Sequence, residues 1–333
     1  MTANLPEGLA EFLVRAGWGG ADVAPLAGDA SFRRYFRIHK ASQSAMLMHA
    51  PPPQEDPRPF LAVGGWLAAQ GLRPPAVLAE EAGAGWVLLE DFGDARLRDV
   101  LDETPALEMP AYAAAIDTLV ALRGKAPGPF PPYDMATYLR EARLFVEWFC
   151  PAQGLAVDAP GWEAAWQEAL APLMARQQPG VAVLRDYHAE NIMLLAGDPA
   201  DQGLLDYQDA LVGHPAYDLV SLLQDARRDV APAVEAAMLA RYLAAAGLAG
   251  EAESADFLAD YARLGAQRNA KIVGIFVRLW QRDGKQRYLA LVPRVWAQME
   301  RDLAHPALAP VARWFEANIP AAIRAAHGGS LAA

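Results

Sequence analysis

The chain has 333 residues, 53% of them hydrophobic and 21% charged, which excludes a disordered chain and suits one large globular domain or two smaller ones. Its net charge of −11, from 29 basic and 40 acidic residues, argues against nucleic acid or an anionic membrane as a partner, and no segment calls for an obligate protein partner. A single cysteine, Cys150, excludes an internal disulfide and a cysteine metal cluster; with no basic-then-apolar leader and no uncharged apolar run of about 18 residues, a cytoplasmic protein is expected.

In chain order, a short helix is predicted from Pro6 to Ala16. Gly28-Asp29-Ala30-Ser31 then leads into Phe32-Arg33-Arg34-Tyr35-Phe36-Arg37-Ile38, where Arg34, Phe36 and Ile38 share one strand face. The chain turns at Lys40 to Ser44 and returns through Ala45-Met46-Leu47-Met48-His49, giving a hairpin with small residues at its start. Small residues there let backbone N–H groups approach phosphate oxygens, although any turn has a similar composition. Gly28, Asp29, Ala30, Ser31, Phe32, Arg33 and Arg34, with Met46 on the returning strand, are the candidate nucleotide-binding residues. Pro51-Pro52-Pro53 breaks the chain before a helix from Arg58 to Gln70, and strands are predicted at Pro75 to Ala79 and Trp86 to Leu89. The second ends in Glu90-Asp91-Phe92-Gly93-Asp94, the expected crossing between lobes, so Glu90 joins the nucleotide candidates.

From Asp94 onward the pattern is mainly helical. Helices are predicted near Pro110 to Arg123, Asp134 to Phe149 with Asp134 as N-cap, and Trp162 to Arg176. Strand-like runs at Val181 to Leu184, Ile192 to Leu195 and Gly203 to Leu205 frame the residues that carry the chemistry. Asp186 and Asn191 stand five positions apart in Leu184-Arg185-Asp186-Tyr187-His188-Ala189-Glu190-Asn191, and Asp206 follows at the end of a second apolar run. Phosphoryl transfer from ATP needs a carboxylate beside the attacking hydroxyl and oxygen ligands for Mg2+; Asp186 fits the base, Asn191 and Asp206 the metal ligands. Pro215 opens a further helix, and helices over Ala255 to Arg282, Val292 to Leu303 and Val311 to Ala326 complete the chain.

These segments resemble the aminoglycoside phosphotransferase family of the protein-kinase-like fold. Within it they are most similar to bacterial anomeric kinases of N-acetylmuramate and N-acetylglucosamine in cell-wall recycling. The narrower resemblance rests on Gly28 to Phe36, Met48-His49-Ala50-Pro51-Pro52, Leu88 to Asp94, Asp186 to Asn191, Asp206-Tyr207-Gln208-Asp209-Ala210 and Gln267 to Phe276. It implies an α+β, two-lobed fold, with a small antiparallel-sheet lobe over residues 1–93 and a larger helical lobe over residues 94–333. It further implies ATP and Mg2+ as cofactors and the C1 hydroxyl of an amino sugar as acceptor. Two roles are open to Asp209, a contact to sugar hydroxyls or a loop cap. Arg268 and Asn269 are expected to meet the lactyl carboxylate and the N-acetyl group, Arg268 alternatively being a surface or salt-bridging arginine, and Glu147 either faces the sugar or lies on a solvated face.

The resemblance has two departures. Many kinases hold the phosphates with a lysine on the third strand, and Ala45 to His49 contains none, as is true of the anomeric kinases; Arg33, Arg34 or Lys40 are its possible substitutes. Leu184 stands where the superfamily often has histidine. A kinase of another small alcohol, such as an aminoglycoside, choline or homoserine, and a non-catalytic nucleotide-binding module are the alternatives.

Overall fold

In the computed structural model, which describes residues 5–26 and 32–331, the alternating apolar residues after Arg33 form the predicted hairpin. Strands β1 (Asp22–Pro25), β2 (Arg34–Lys40), β3 (Gln43–His49), β4 (Val77–Glu81) and β5 (Trp86–Glu90) make one antiparallel sheet in the order β1-β2-β3-β5-β4. Phe36, Ile38, Ala45, Leu47, Trp86 and Leu88 are buried with Leu9, Phe12 and Leu13 of helix α1 (Leu9–Arg15). Each large apolar side chain so buried stabilises the fold by about 1.5–3 kcal/mol. The two-residue period of a strand puts Tyr35, Arg37, Met46, Met48, Val87 and Leu89 on the opposite face.

The chain forms two compact units, Met1–Leu107 with Glu190–Asp209, and Glu108–Ala189 with Ala210–Ala333. Besides the sheet, the first unit contains α2 (Arg58–Ala69), α3 (Leu97–Glu103) and a short antiparallel hairpin of Ile192–Leu194 and Gln202–Leu204. The Leu204 N–H donates to the Arg73 carbonyl at 2.8 Å. Gly203 lies so close to Phe92 that a Cβ would meet its ring at 2.4 Å. The Arg73 guanidinium lies 5.0 Å from the centre of the same ring.

The second unit is helical, with α4 (Glu108–Arg123), α5 (Met135–Leu144), α6 (Ala159–Arg176), α7 (Ala216–Leu223), α8 (Pro232–Ala245), α9 (Glu251–Asp283) and α10 (Val292–Leu303). Asp134 caps α5 as predicted, its Oδ1 accepting the Thr137 N–H at 2.8 Å. The helix predicted to reach Phe149 instead widens after Leu144 into a π turn, Phe145–Phe149. Gly274 of α9 packs there, and a Cβ on it would lie 2.4 Å from the Leu144 carbonyl carbon. The helix predicted over 311–326 breaks before Pro320 into Ala309–Asn318 and Ala321–Ala325. Strand β1, helices α3 and α8, and the strand Leu211–Gly213 were not predicted. Among the described residues, no helix is long and apolar enough to cross a membrane.

Candidate active site

The loop that carries Asp186 leaves the short strand Val181–Val183, which pairs antiparallel with Leu211–Gly213. Its shape is imposed by buried side chains of the second unit. Asp218, in the first turn of α7, accepts the Leu184 N–H at 2.7 Å on Oδ2 and the Arg185 N–H at 2.9 Å on Oδ1. These bonds hold Arg185 at a left-handed φ of +72°, a conformation costly for a side chain of its size. The Arg185 carbonyl accepts from Ser221 Oγ at 3.1 Å, and Arg268 Nη2 donates to that oxygen at 2.8 Å. The Arg185 side chain meets Glu141 at 2.5 Å, and Lys271 Nζ approaches the same carboxylate oxygen at 3.1 Å. Tyr133 donates its hydroxyl hydrogen to the second oxygen of Glu141.

The rest of the loop is anchored as firmly. The Tyr187 hydroxyl donates to the Ala115 carbonyl at 2.9 Å, the Ala189 N–H to Asp225 at 3.2 Å, and the buried His188 has Arg227 Nη1 at 3.2 Å from Nε2. His188 thus orders the loop, and Leu184 is buried in it. Asp186 itself is partly exposed. Burial pushes the Asp218 carboxyl up to about 7, and nearby Asp186 adds to the rise; the two N–H donors and Arg268 pull the other way.

In the first unit, the metal-ligand candidates lie at one end of the short hairpin. The Leu205 N–H donates to the Asn191 carbonyl at 2.9 Å. Asn191 Nδ2 lies 3.4 Å from Asp206 Oδ2, a separation that lets the amide, turned to present its oxygen, share one cation with the carboxylate. Asp206 takes a left-handed φ of +57°, tolerable for aspartate. The next residue, Tyr207, is buried, with its ring stacked on Phe60 of α2 at 4.9 Å. Gly64 of α2 makes room for that ring, since a Cβ would meet the Tyr207 hydroxyl oxygen at 2.7 Å. Gln208 Nε2 donates to Asp206 Oδ1 at 2.9 Å and lies 3.4 Å from Asp209 Oδ2. Arg98 of α3 forms an ion pair with Glu190, the neighbour of Asn191. Among the described residues no group of three or more His, Cys, Asp or Glu side chains is placed to hold a metal. Asn191 and Asp206 are a two-residue set of the kind that Mg2+ completes with phosphate oxygens and water.

Of the nucleotide candidates, Gly28, Asp29, Ala30 and Ser31 lie outside the described residues. Phe32 is 71% exposed, and its N–H donates to Glu55 Oε1 at 3.3 Å. Arg33 Nε meets Glu55 Oε2 at 3.2 Å. Arg34 is exposed, with its guanidinium 5.2 Å from the centre of the Phe36 ring. Met46 lies half-buried between Arg37 and Leu89 in the sheet register. Glu90 pairs with Ala45, and its carboxylate is gripped by Arg73 at 2.5 and 2.7 Å, which lowers its pKa.

The sugar candidates differ in exposure. Asp209 is exposed beside Gln208. Glu147 is exposed on the π turn, where it borders a cavity of about 580 Å³ with Arg143, Val146, Trp162 and Glu163. Arg268 and Asn269 are 4% and 0% exposed, and Asn269 Nδ2 donates to Gln224 at 2.7 Å. Inside the helical unit Arg268 braces Ser221 and the loop. Sequence reasoning passed over Glu141, Ser221, Gln208 and Glu55. Glu141 stands between Arg140 and Ala142 with Arg143 beyond, so it lacked the apolar setting, Phe145-Val146 and Trp148-Phe149, that singled out Glu147.

Comparison with known proteins gives the family and the fold. The model of the phosphotransferase enzyme family matches residues 22–258. A protein of Caulobacter vibrioides named N-acetylmuramate/N-acetylglucosamine kinase is 40% identical, over 95% of this chain and 97% of that one. Among solved structures, a choline/ethanolamine kinase family protein of Mesorhizobium loti superposes with a TM-score of 0.63 at 17% identity, covering 92% of this chain and 97% of its own. An aminoglycoside phosphotransferase, APH(3'')-Id of Streptomyces rimosus, solved with ADP and streptomycin, gives 0.54 at 19% identity, covering 78% of this chain and 99% of its own. The two-lobed, protein-kinase-like α+β fold is thereby shown. The chain belongs to the phosphotransferase enzyme family.

Proposed function

We propose that this chain is a cytoplasmic kinase that transfers the γ-phosphoryl group of ATP to the anomeric C1 hydroxyl of N-acetylmuramate, N-acetylglucosamine or both. The observation that carries the acceptor is the 40% identity, over nearly the whole of both chains, to the Caulobacter vibrioides protein of that name. The reaction type has independent support in the residues: a partly exposed Asp186 on a braced loop, and Asn191 and Asp206 side by side.

Asp186 accepts the proton of the sugar hydroxyl as its oxygen attacks phosphorus. An anomeric hydroxyl is more acidic than an ordinary alcohol, so the loop contributes chiefly by placement. Asn191 and Asp206 would hold Mg2+, which neutralises charge on the phosphates. Residues 1–93 form the proposed nucleotide-binding lobe, and Asp209 and Glu147 are the sugar-contact candidates that remain exposed.

The test is ADP release with Mg2+ and ATP over a panel of N-acetylhexosamines, aminoglycosides, choline and homoserine. The expected product has lost its reducing end, because phosphate at C1 locks the ring. ATP turnover that leaves the sugar reducing, or that occurs only with choline or an aminoglycoside, overturns the assignment.

A further inference from the structure

We infer that Arg37 positions the turn Asp91-Phe92-Gly93 to take the adenine base of ATP, and that it does so through its buried pair with Asp91, not its exposed pair with Asp94. This rests on the ATP-kinase reading above and adds a positioning residue to it.

Arg37 stands on the sheet face turned away from α1, where the register sets it in one row with Met46 of β3 and Leu89 of β5. Strand β5 ends one residue later, at Glu90, so the row borders the point where the chain leaves the sheet. From there the guanidinium reaches three of the next four residues. Nε lies 2.9 Å from Asp91 Oδ2, Nη2 donates to the Gly93 carbonyl at 3.1 Å, and Nη1 and Nη2 donate to the two Asp94 oxygens at 2.8 and 2.9 Å. All of these residues belong to one compact unit.

Asp91 closes the turn from inside. Its Oδ1 accepts the Gly93 N–H at 2.9 Å, and Gly93 takes a left-handed φ of +77° that a larger residue would resist. Both backbone groups of Gly93 are thereby spent on side chains, whereas the N–H and C=O groups of Asp91 and Phe92 have no hydrogen bond among the described residues. An adenine ring presents an amine donor beside a ring-nitrogen acceptor, and a backbone C=O and N–H answer that pair. The carboxylates of the segment are not available to it: Arg73 holds that of Glu90, and Arg37 holds those of Asp91 and Asp94. Met46, half-buried beside Arg37, offers the ring an apolar surface.

The two ion pairs of Arg37 are unequal. The Asp94 side chain is 84% exposed, and a pair so open to water contributes little. Asp91 is 4% exposed and Arg37 17%, so removing the arginine strands a buried carboxylate that also holds the turn. Arg37 acts through that carboxylate on the backbone of Asp91 and Phe92, which is the part that would meet the base.

The experiment is titration by calorimetry with Mg2+, in the absence of sugar, using ATP, ADP, inorganic tripolyphosphate and, by displacement of ADP, adenosine. Arg37→Met keeps the aliphatic stem and should weaken ATP, ADP and adenosine by one common factor of about tenfold, the cost of ordering about one backbone residue on binding. Tripolyphosphate, which has no base, should lose less than about twofold. Asp91→Asn keeps an acceptor for the Gly93 N–H and should act alike, and the double variant should bind ATP no more weakly than the weaker single one. Asp94→Asn, and Arg15→Gln, which breaks an exposed pair with Glu81 in the same unit, should leave every affinity within about twofold. In turnover by Arg37→Met, KM for ATP should rise while kcat at saturation holds, a split that a merely structural loss would not give. Unchanged adenosine affinity in Arg37→Met, an equal loss for tripolyphosphate, or an equal loss in Asp94→Asn overturns the assignment. Unfolding of both Arg37→Met and Asp91→Asn overturns it as well, because the pair would then be a support of the fold alone. Failure of the native protein to bind any adenine nucleotide would instead sink the kinase reading beneath it.

Discussion

Asp218 offers a test in which stability and activity should part company. The buried carboxyl, raised to about 7, binds a proton in the folded state that an unfolded aspartate, with its ordinary value of 3.8, has already released. Its contribution is therefore fully present below the unfolded value and is lost as pH rises toward the folded one. Between pH 5 and pH 8 that loss amounts to roughly 2–3 kcal/mol. Asp218→Asn removes the titration, keeps one acceptor oxygen, and turns an NH2 against the other of the two N–H groups now bonded at 2.7 and 2.9 Å. One buried donor left unpaired costs about 1–3 kcal/mol at every pH. Urea unfolding of both proteins should show the variant gaining on the native chain by roughly 2–3 kcal/mol from pH 5 to pH 8. Over the same range ADP release should fall about tenfold or more, because Arg185 loses part of what holds its left-handed backbone. A stability difference that stays constant between the two pH values refutes the raised pKa. Undiminished turnover refutes the role of Asp218 in shaping the loop.

The other expected outcomes concern Asp186 and one packing site. Asp186→Ala should lower kcat by about 10²–10⁴ while calorimetry finds ATP affinity little changed; full turnover in this variant would remove Asp186 from the mechanism. Gly274→Ala would place a Cβ 2.4 Å from the Leu144 carbonyl carbon, backbone that cannot rotate away. It should cost about 3 kcal/mol in thermal or urea unfolding, and a loss under about 0.5 kcal/mol would mean that α9 and the π turn separate easily.

Much of the fold was legible because the longer elements repeat their pattern enough times to be read. The hairpin of β2 and β3 shows alternation over seven residues in each strand, and Asp134 announces α5 by a side chain that bonds locally. The three-residue strand Leu211–Gly213 contains too little of any period, and α8 hides its buried Val234, Met238 and Tyr242 among alanines. The candidate site was proposed from spacing, that of Asp186, Asn191 and Asp206, of which the structure sets Asn191 and Asp206 side by side. The supporting residues were not legible, since Glu141, Ser221 and Glu55 act through distant partners that leave no trace in their own neighbourhood. The burial of Arg268 and Asn269 was hidden for a related reason. A polar stretch on a helix suggests ligand or solvent, but α9 is buried on so many sides that its polar residues bond Ser221 and Gln224 instead.

The contact between Gly203 and Phe92 sets a rule for how this part of the sequence can drift over generations. With only 2.4 Å between the ring and the place of a Cβ, no side chain larger than glycine enters position 203 unless position 92 shrinks in the same lineage. Relatives should therefore change these two positions together or not at all, and a lone alanine at 203 beside an intact phenylalanine should be absent from them. The restriction would persist even in descendants that had exchanged one acceptor for another, because it arises from space between two segments and not from the compound being phosphorylated.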